Sequence, residues 1–280
     1  MLSSMQLKGF QGPVIQKSID VRFLHLGVGL LLLLAAQHAP AVVIPSPECQ
    51  TQCGDVEIQY PFGIGDKCSW SAHFNITCLV QEDNVHKPFI ADLELLNISL
   101  IHSTIRVLNP ISTYCYDPSS GLMENTTWTF NASGSPYRFS DTEIPKGIGY
   151  YEVGFDRGFN TSNIWRFSRC SYAVLMEAEG FNFSTTYINT TKFNDTNIGR
   201  APTVIDWAIR DETTSCEVAK RNETGTYACL SSNSECLVSP NGPGYLCNCS
   251  KGYEGNPYVP DGCHGNNCVN IFVQYSFNLV

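Results

Sequence analysis

Short stretches in which polar and apolar residues alternate recur along the chain after residue 48. In residues 55–60 the alternation has the period of a strand with one buried face, and Pro61 with Gly63 and Gly65 predicts a turn directly after it. Further strand-like segments are residues 74–78, 93–100 and 104–108, and residues 125–210 remain rich in Thr, Tyr, Phe, Asn and Ile. The pattern predicts a mainly β fold built from short strands.

The N-terminal 41 residues have a different pattern. Lys8, Lys17 and Arg22 precede a 13-residue apolar run over residues 24–36, and small residues follow up to Ala41. This order predicts a secretory signal peptide over residues 1–41. The alternative is an uncleaved membrane anchor, but the run is shorter than the roughly 20 residues that cross a bilayer.

Cysteine usage supports an oxidising compartment. The chain has 13 cysteines and only 15% charged residues, and every cysteine lies beyond residue 48. Closely spaced pairs such as Cys49/Cys53 and Cys247/Cys249, with His264 after Cys263, are the candidates for a zinc site. Zinc sites usually have two such pairs at a defined separation, and the secretory context favours disulfides instead. The predicted fold class is therefore mainly β and disulfide-rich: a small β-sheet N-terminal domain, a β-rich middle region and a compact C-terminal module.

Ten Asn-x-Ser/Thr triplets follow the predicted signal peptide, which indicates a heavily glycosylated surface. Nine are expected to carry glycans: Asn75, Asn97, Asn125, Asn131, Asn160, Asn182, Asn189, Asn194 and Asn222. The tenth, Asn248, stands between Cys247 and Cys249 and is not included.

The formal net charge of −9 restricts the possible ligands. An acidic surface does not bind nucleic acid or anionic membranes without specific contacts. It works equally against an acidic polysaccharide. Any polyanion site therefore requires a local group of basic residues or a bridging calcium ion.

The segment from Cys49 to Cys78 is the most specific pattern in the chain. It joins Cys49-Gln-Thr-Gln-Cys53, the alternating residues 55–60, a Tyr-Pro-Phe-Gly corner and two further cysteines, Cys68 and Cys78. It resembles the opening of the galacturonan-binding domain of plant wall-associated kinases, and residues 97–116 continue the resemblance. The resemblance implies a galacturonan-binding domain over residues 48–118, in which Cys49, Cys53, Cys68 and Cys78 pair in an order left open.

The same family accounts for the middle region, with one departure. Residues 144–148, 170–177 and 204–209 look like its second extracellular segment. Between Phe139 and Ile144 the family carries a longer stretch with several cysteines, which this chain lacks. Residues 119–211 are therefore interpreted as a shortened middle region, in which Cys115 and Cys170 have no assigned partners.

Six cysteines in residues 214–263 resemble an EGF-like module, whose usual connectivity implies the pairs Cys216–Cys236, Cys229–Cys247 and Cys249–Cys263. No cofactor is predicted. Calcium remains an alternative at this module, because Asp211 and Glu212 precede its first cysteine, but Ile209 stands where an acidic or amide residue is needed, and Asn241 and Tyr245 are one residue out of register. Residues 264–280 are expected to be an unstructured tail, and Cys268 makes the cysteine count odd.

A galacturonate chain carries one carboxylate per ring, so its site needs basic donors beside aromatic faces. The candidate ligand-binding residues are Lys67, Trp70, Lys87 and Arg106. The ordinary alternative for Lys67 is a solvated lysine at a turn. A second group, Arg157, Arg166 and Arg169 around Trp165, forms either a further basic patch or only solvated strand residues.

No catalytic motif is present: the chain has no His-Arg-Asp or Asp-Phe-Gly sequence, no glycine-rich phosphate loop, no Gly-x-Ser-x-Gly elbow and no His-Glu-x-x-His pair. The sequence therefore predicts a non-enzymatic, receptor-like ectodomain without a kinase. It is expected in the cell wall or at the outer face of the plasma membrane, with pectin (homogalacturonan or its oligogalacturonide fragments) as partner. Two alternatives stay open: an EGF-type protein-binding module or co-receptor with a structural N-terminal domain, and a secreted hydrolase.

Cleavage of the predicted signal peptide is directly testable. Because small residues follow the apolar run, we expect the secreted protein to begin near Ala41, a few residues before Cys49. N-terminal sequencing of the secreted protein measures this. Recovery of Met1 in a membrane fraction would show an anchor instead.

Overall fold

The computed structural model describes residues 45–265 except 66, 83, 141–146, 153–154, 156–160, 197, 211–214 and 222–226. The signal peptide and Cys268 lie outside the described residues. Within them, residues 45–265 form short strands with a few single-turn helices, so the predicted mainly β class is confirmed. Six disulfides cross-link these strands and loops.

The strands, in chain order, are β1 (Gln52–Cys53), β2 (Val56–Glu57), β3 (Gly63–Ile64), β4 (Asn75–Val80), β5 (His86–Ile90), β6 (Leu93–Ser99), β7 (Thr104–Pro110), β8 (Ser112–Asp117), β9 (Leu122–Thr126), β10 (Thr129–Asn131), β11 (Tyr137–Phe139), β12 (Tyr150–Glu152), β13 (Cys170–Ala173), β14 (Arg200–Trp207), β15 (Ser234–Val238), β16 (Tyr245–Cys249), β17 (Tyr253–Gly255) and β18 (Cys263–Gly265). The helices are α1 (Thr186–Asn189), α2 (Lys192–Thr196) and α3 (Cys216–Arg221), with 3-10 turns at Ala72–Phe74 and Ala178–Gly180.

One seven-stranded sheet organises the fold, in the order β11-β14-β7-β6-β5-β4-β3. Its neighbours are antiparallel, except that β3 runs parallel to β4. A three-stranded sheet, β13-β8-β9, and four two-stranded pairs complete the ladder hydrogen bonding of the described residues. The long strand β14, from the predicted middle region, pairs with β7 along seven positions. The sheet therefore crosses the boundary predicted near residue 118.

The alternation of buried and exposed residues along β14 explains this pairing. Ala201, Thr203, Ile205 and Trp207 are buried, and the residues between them are half-buried on the opposite face. β7 has the matching alternation, and its buried Ile105 lies directly opposite Ile205. Paired in this register, the two strands place their apolar side chains on the same face of the sheet.

The core is centred on Trp207, which is 1% exposed. Its ring meets the edges of Phe62 and Phe74 at centroid distances of 5.2 and 5.8 Å, with interplanar angles of 87° and 86°. Tyr258, from the C-terminal module, lies 5.6 Å away on the same cluster. Edge-to-face pairs of this kind stabilise by about 0.5–1.5 kcal/mol each beyond their buried area. Trp207 thus joins residues from all three predicted regions.

Main-chain bonds also join the C-terminal module to the sheet. Ile209 and Tyr245 exchange two backbone hydrogen bonds of 2.9 and 3.0 Å. The Asn256 side-chain amide donates to the Tyr60 carbonyl oxygen at 2.7 Å. The C-terminal module therefore packs into the core of the sheet and is also cross-linked by its own disulfides.

A buried polar network closes this junction around Asn241. The Asn241 side-chain amide donates to the Phe139 carbonyl at 2.6 Å and to the Asp206 carboxylate at 2.7 Å. The backbone carbonyl of Asn241 accepts a hydrogen bond from the Arg210 guanidinium at 2.8 Å. Burial lowers the pKa of Arg210 to about 10. These bonds satisfy polar groups that would otherwise be costly to bury.

The disulfides settle the pairings that the sequence left open. Cys49 pairs with Cys68 and Cys53 with Cys78. Cys115 and Cys170, which had no assigned partners, pair with each other across β8 and β13. The C-terminal module contains the three pairs that the EGF-like resemblance implied: Cys216–Cys236, Cys229–Cys247 and Cys249–Cys263.

Three predicted segments differ in extent. The strand predicted over residues 55–60 pairs only at Val56–Glu57, although Val56, Ile58 and Tyr60 are all buried, because β1 is two residues long and the ladder ends there. In the segment of residues 170–177, only Cys170–Ala173 form a strand, β13. Residues 264–265, assigned to the tail, belong to β18.

Replacing Tyr258 tests the shared core. The side chain is fully buried against Trp207, and its hydroxyl accepts a hydrogen bond from the Cys247 amide at 2.9 Å. We expect Tyr258→Ala to lower the free energy of unfolding by about 3–5 kcal/mol. Denaturant titration followed by tryptophan fluorescence and by circular dichroism should show one shifted transition.

The matched control is Tyr253→Ala, in the same module but 38% exposed. A surface change of this kind alters stability by roughly 0.5 kcal/mol or less. Equal effects of the two substitutions, or an unchanged tryptophan transition in Tyr258→Ala, would contradict a shared core.

Candidate functional site

The first disulfide places Lys67 and Trp70 on one loop. The Cys49–Cys68 bridge joins residues 19 positions apart and anchors the loop at Cys68, directly after Lys67. Lys67 is exposed, with a backbone φ of 65°. Trp70 is half-buried, and its ring contacts the edge of Tyr60 at 6.4 Å. Lys67 is therefore exposed three positions before Trp70, whose ring packs against Tyr60.

Lys87 is committed to an ion pair. On the sheet face opposite the core, its ammonium lies 2.8 Å from Glu94 Oε1. Arg200 contacts the other oxygen of Glu94 at 3.2 Å. The Glu94 side chain is only 12% exposed. One carboxylate on β6 thus compensates two cations, one on the adjacent β5 and one on β14, beyond β7.

Arg106 is committed as well. Its Nε and Nη2 donate to the two carboxylate oxygens of Glu177 at 2.6 and 2.9 Å, a bidentate pair between β7 and the segment after β13. The hydrogen bond to Glu177 raises the pKa of Arg106. A fork-to-fork contact of this kind is the strongest geometry for an arginine–carboxylate pair, so Arg106 is already occupied.

The four predicted ligand-binding residues do not form one site. The Lys67 loop follows β3, the edge strand of the sheet, and Arg106 is on β7, four strands further along. At about 4.8 Å per strand this separates them by roughly 19 Å. Sequence reasoning missed the carboxylates of Glu94 and Glu177. Alternation in β6 places Glu94 on the outer face, but only strand pairing shows which cations it meets.

The second basic group is partly assembled. Arg166 lies over the Trp165 ring at 5.9 Å from its centroid, and Tyr116 contacts the same ring at 6.0 Å. Arg166 and Arg169 are both exposed, and neither forms a salt bridge with another described residue. Arg157 lies outside the described residues.

A disulfide fixes the base of this group. Cys115 and Cys170 are bonded and lie opposite each other in the ladder, and the Tyr116 amide donates to the Arg169 carbonyl at 3.1 Å. Asp117 follows Tyr116, and hydrogen bonds from the two serines after it hold the pKa of its carboxyl well below the usual range. The Asp117 side chain is therefore bound to its own turn.

The glycosylation triplets differ in exposure. Exposed asparagines are Asn97, Asn125, Asn131, Asn182 and Asn189; Asn75, Asn194 and Asn248 are half-buried. Asn160 and Asn222 lie outside the described residues. Attachment of a glycan requires an accessible side-chain nitrogen, so the five exposed positions are the best candidates among those described.

The described part of the chain contains no cluster of three or more His, Cys, Asp or Glu side chains with the geometry of a metal site. Asn241 and Tyr245, which a calcium-binding EGF-like module would need near its site, serve the buried junction with the sheet instead. Across the same residues, no helix is long and apolar enough to span a bilayer.

Comparison with known proteins follows the same regions. Residues 49–109 match the family described as wall-associated receptor kinase galacturonan-binding. The chain is 33% identical to wall-associated receptor kinase 5 of Arabidopsis thaliana over 80% of this chain and 35% of that protein. This chain is a relative of the wall-associated receptor kinases. Identity to wall-associated receptor kinase 1 of the same plant is 27%, over 90% of this chain and 38% of the relative. No solved structure matches.

The chain spans about a third of the length of the wall-associated receptor kinases it matches. The alignment with wall-associated receptor kinase 5 has 274 positions, although 80% of 280 residues is only about 224. About 50 positions of that relative therefore have no counterpart here.

The ion pairs on the outer face make a measurable prediction. Glu94→Gln removes the compensation of Lys87 and Arg200, so we expect a loss of roughly 1 kcal/mol in the free energy of unfolding. High salt should shrink this loss, because it screens exposed charges. Denaturant titration at low and at high sodium chloride measures both.

Glu235→Gln, an exposed strand residue outside the described ion pairs, is the control and should leave stability unchanged at either salt concentration. A loss that is the same at both salt concentrations would mean that Glu94 acts through packing and not through charge.

Proposed function

We propose that this protein recognises acidic cell-wall polysaccharide outside the cell, with homogalacturonan or its oligogalacturonide fragments as the ligand. The observation that carries the proposal is the match of residues 49–109 to the galacturonan-binding family. The protein acts by binding and not by catalysis, as the absence of kinase and hydrolase motifs from the sequence supports. Its place is the cell wall or the outer face of the plasma membrane.

Within the matched domain, charge selects one loop. Residues 49–109 contain three Lys or Arg residues: Lys67, Lys87 and Arg106. Lys87 and Arg106 are held by carboxylates on the outer face of the sheet. Lys67 has no salt bridge to another described residue and stands beside Trp70. This loop therefore supplies the donor and the aromatic face that a galacturonate ring requires.

Arg166 and Arg169 provide the next contact. A single exposed charge pair is worth at most about 1 kcal/mol, so recognition of a polyanion needs several cations. The two arginines are exposed beside Trp165, and arginine binds carboxylates with two parallel hydrogen bonds. The ligand would thus contact the matched domain and the middle region.

The expected binding is local and sensitive to salt. The net charge of −9 repels a polyanion at long range, so affinity depends on these short contacts or on calcium bridging carboxylates of the protein and the ligand. Raising the ionic strength weakens contacts between exposed charges. De-esterified oligogalacturonides should bind better than methyl-esterified ones, which lack the charge.

Charge reversal on the Lys67 loop tests the proposal. We expect Lys67→Glu to weaken binding of de-esterified oligogalacturonides about fivefold or more, since about 1 kcal/mol of attraction is lost and repulsion is added. Arg166→Glu with Arg169→Glu should weaken it further. Titration calorimetry on the secreted protein, at low and high salt and with and without calcium, measures the affinities.

The control is Lys251→Glu, an exposed lysine of the C-terminal module. It has the same charge change and should keep the original affinity. Arg106→Glu is unsuitable as a first test, because it places a second carboxylate against Glu177 and destabilises the fold. Equal affinity for esterified and de-esterified ligand, or no binding in any condition, would overturn polysaccharide recognition in favour of protein binding by the EGF-like module.

A further inference from the structure

An apolar cleft of about 560 Å³ opens beside β13. Its walls come from β13 and the segment after it, the 3-10 turn at Ala178–Gly180, and the helices α1 and α2. None of the described residues that line it is charged. The lining side chains are Tyr151, Tyr172, Ala173, Val174, Met176, Ala178, Phe181, Phe183, Tyr187, Ile188 and Phe193.

Aromatic contacts give the cleft a fixed floor. Phe193 is 7% exposed and packs against Ile111 and Ala201 of the main sheet region. Tyr172 and Tyr187 each lie 5.3 Å from the Phe193 ring. The floor is therefore continuous with the fold and needs no ligand to form.

The rim is unusually apolar for a surface. Phe181, Phe183 and Ile188 are 42%, 64% and 47% exposed. Three large apolar side chains around one concave surface form a contiguous patch of the kind that soluble proteins normally cover. Left bare, such a patch favours aggregation in a secreted protein.

Two glycosylation triplets stand on this rim. Asn182 lies between Phe181 and Phe183, with Ser184 as the third residue of its triplet, and Asn189 directly follows Ile188. Both asparagines are exposed. The chain therefore places two attachment points for sugar next to the apolar side chains that need covering.

We propose that N-glycans on Asn182 and Asn189 cover this cleft and its aromatic rim. The C–H faces of pyranose rings are apolar and pack on aromatic side chains, and a tethered sugar loses less entropy on contact than a free one. In the modification, Asn Nδ2 bonds to the anomeric carbon of a lipid-diphosphate-linked oligosaccharide. The bond from that carbon to the diphosphate breaks, the lipid diphosphate leaves, and one amide proton is released.

The inference depends on secretion and is independent of pectin binding. Glycans of the chain itself are favoured over a protein partner because both attachment points lie at the rim. Large glycans there would prevent another protein from approaching the cleft. Asn97 begins an exposed triplet on β6 of the main sheet, and neither Asn97 nor a residue next to it lines this cleft. It provides a matched control.

The test compares secreted wild type with Asn182→Gln/Asn189→Gln and with Asn97→Gln. Peptide mapping by mass spectrometry should find glycans on Asn182 and Asn189 in wild type. The uncharged dye N-phenyl-1-naphthylamine, which fluoresces in apolar sites, should show severalfold higher emission with the double variant than with wild type. Asn97→Gln should match wild type.

Two further measurements keep the result decisive. Enzymatic removal of glycans from the folded wild type should also raise the dye emission. This measurement involves no substitution, so it excludes an effect of the Asn→Gln changes on folding. Adding Ile188→Asp to the double variant should return emission towards the wild-type level, because it places a charge on the rim. Unmodified Asn182 and Asn189 in the secreted protein, or dye emission that is unchanged after the glycans are removed, would overturn the proposal.

Discussion

The packing of aromatic side chains around Trp207 is the interaction on which the fold depends. Trp207 ends the longest strand, and its ring receives Phe62 and Phe74 from the first domain and Tyr258 from the EGF-like module. These contacts link segments that lie about 50 to 150 positions apart in the sequence. Each predicted region is small, and a small region buries a lower fraction of its surface on its own. The shared cluster removes that limitation by pooling their apolar side chains.

The disulfides act within this framework and do not replace it. The bonded cysteines are separated by 14 to 55 residues, so most bridges close short loops inside one region. Closing a loop of about 15 residues removes roughly 3 kcal/mol of unfolded-chain entropy. The bridges thus stabilise the loops locally, whereas the Trp207 cluster, the Ile209–Tyr245 bonds and the Asn241 network connect the regions to one another. The Cys115–Cys170 bridge crosses the boundary predicted near residue 118 and closes the longest loop of the six.

Electrostatics limits where an acidic ligand is expected to bind. Acidic residues outnumber basic ones, and on the outer face of the main sheet Glu94 and Glu177 hold Lys87, Arg200 and Arg106. Exposed cations that stand beside an aromatic residue in the sequence are Lys67, near Trp70, and Arg166 with Arg169, near Trp165. A relative of the wall-associated receptor kinases can therefore be acidic overall and still offer a carboxylate-binding surface, provided that the ligand reaches these loops at short range.

The amino-acid sequence by itself determined the mainly β class and the similarity of the segment from Cys49 to Cys78 to the galacturonan-binding family, because alternation, cysteine content and spacing are local properties. Only the tertiary structure decided which strands pair, and so placed β14 beside β7 and joined the EGF-like module to the sheet. It likewise decided that Arg106 meets Glu177, a residue 71 positions away. Such contacts depend on the register between distant strands, which the period of a single segment does not encode.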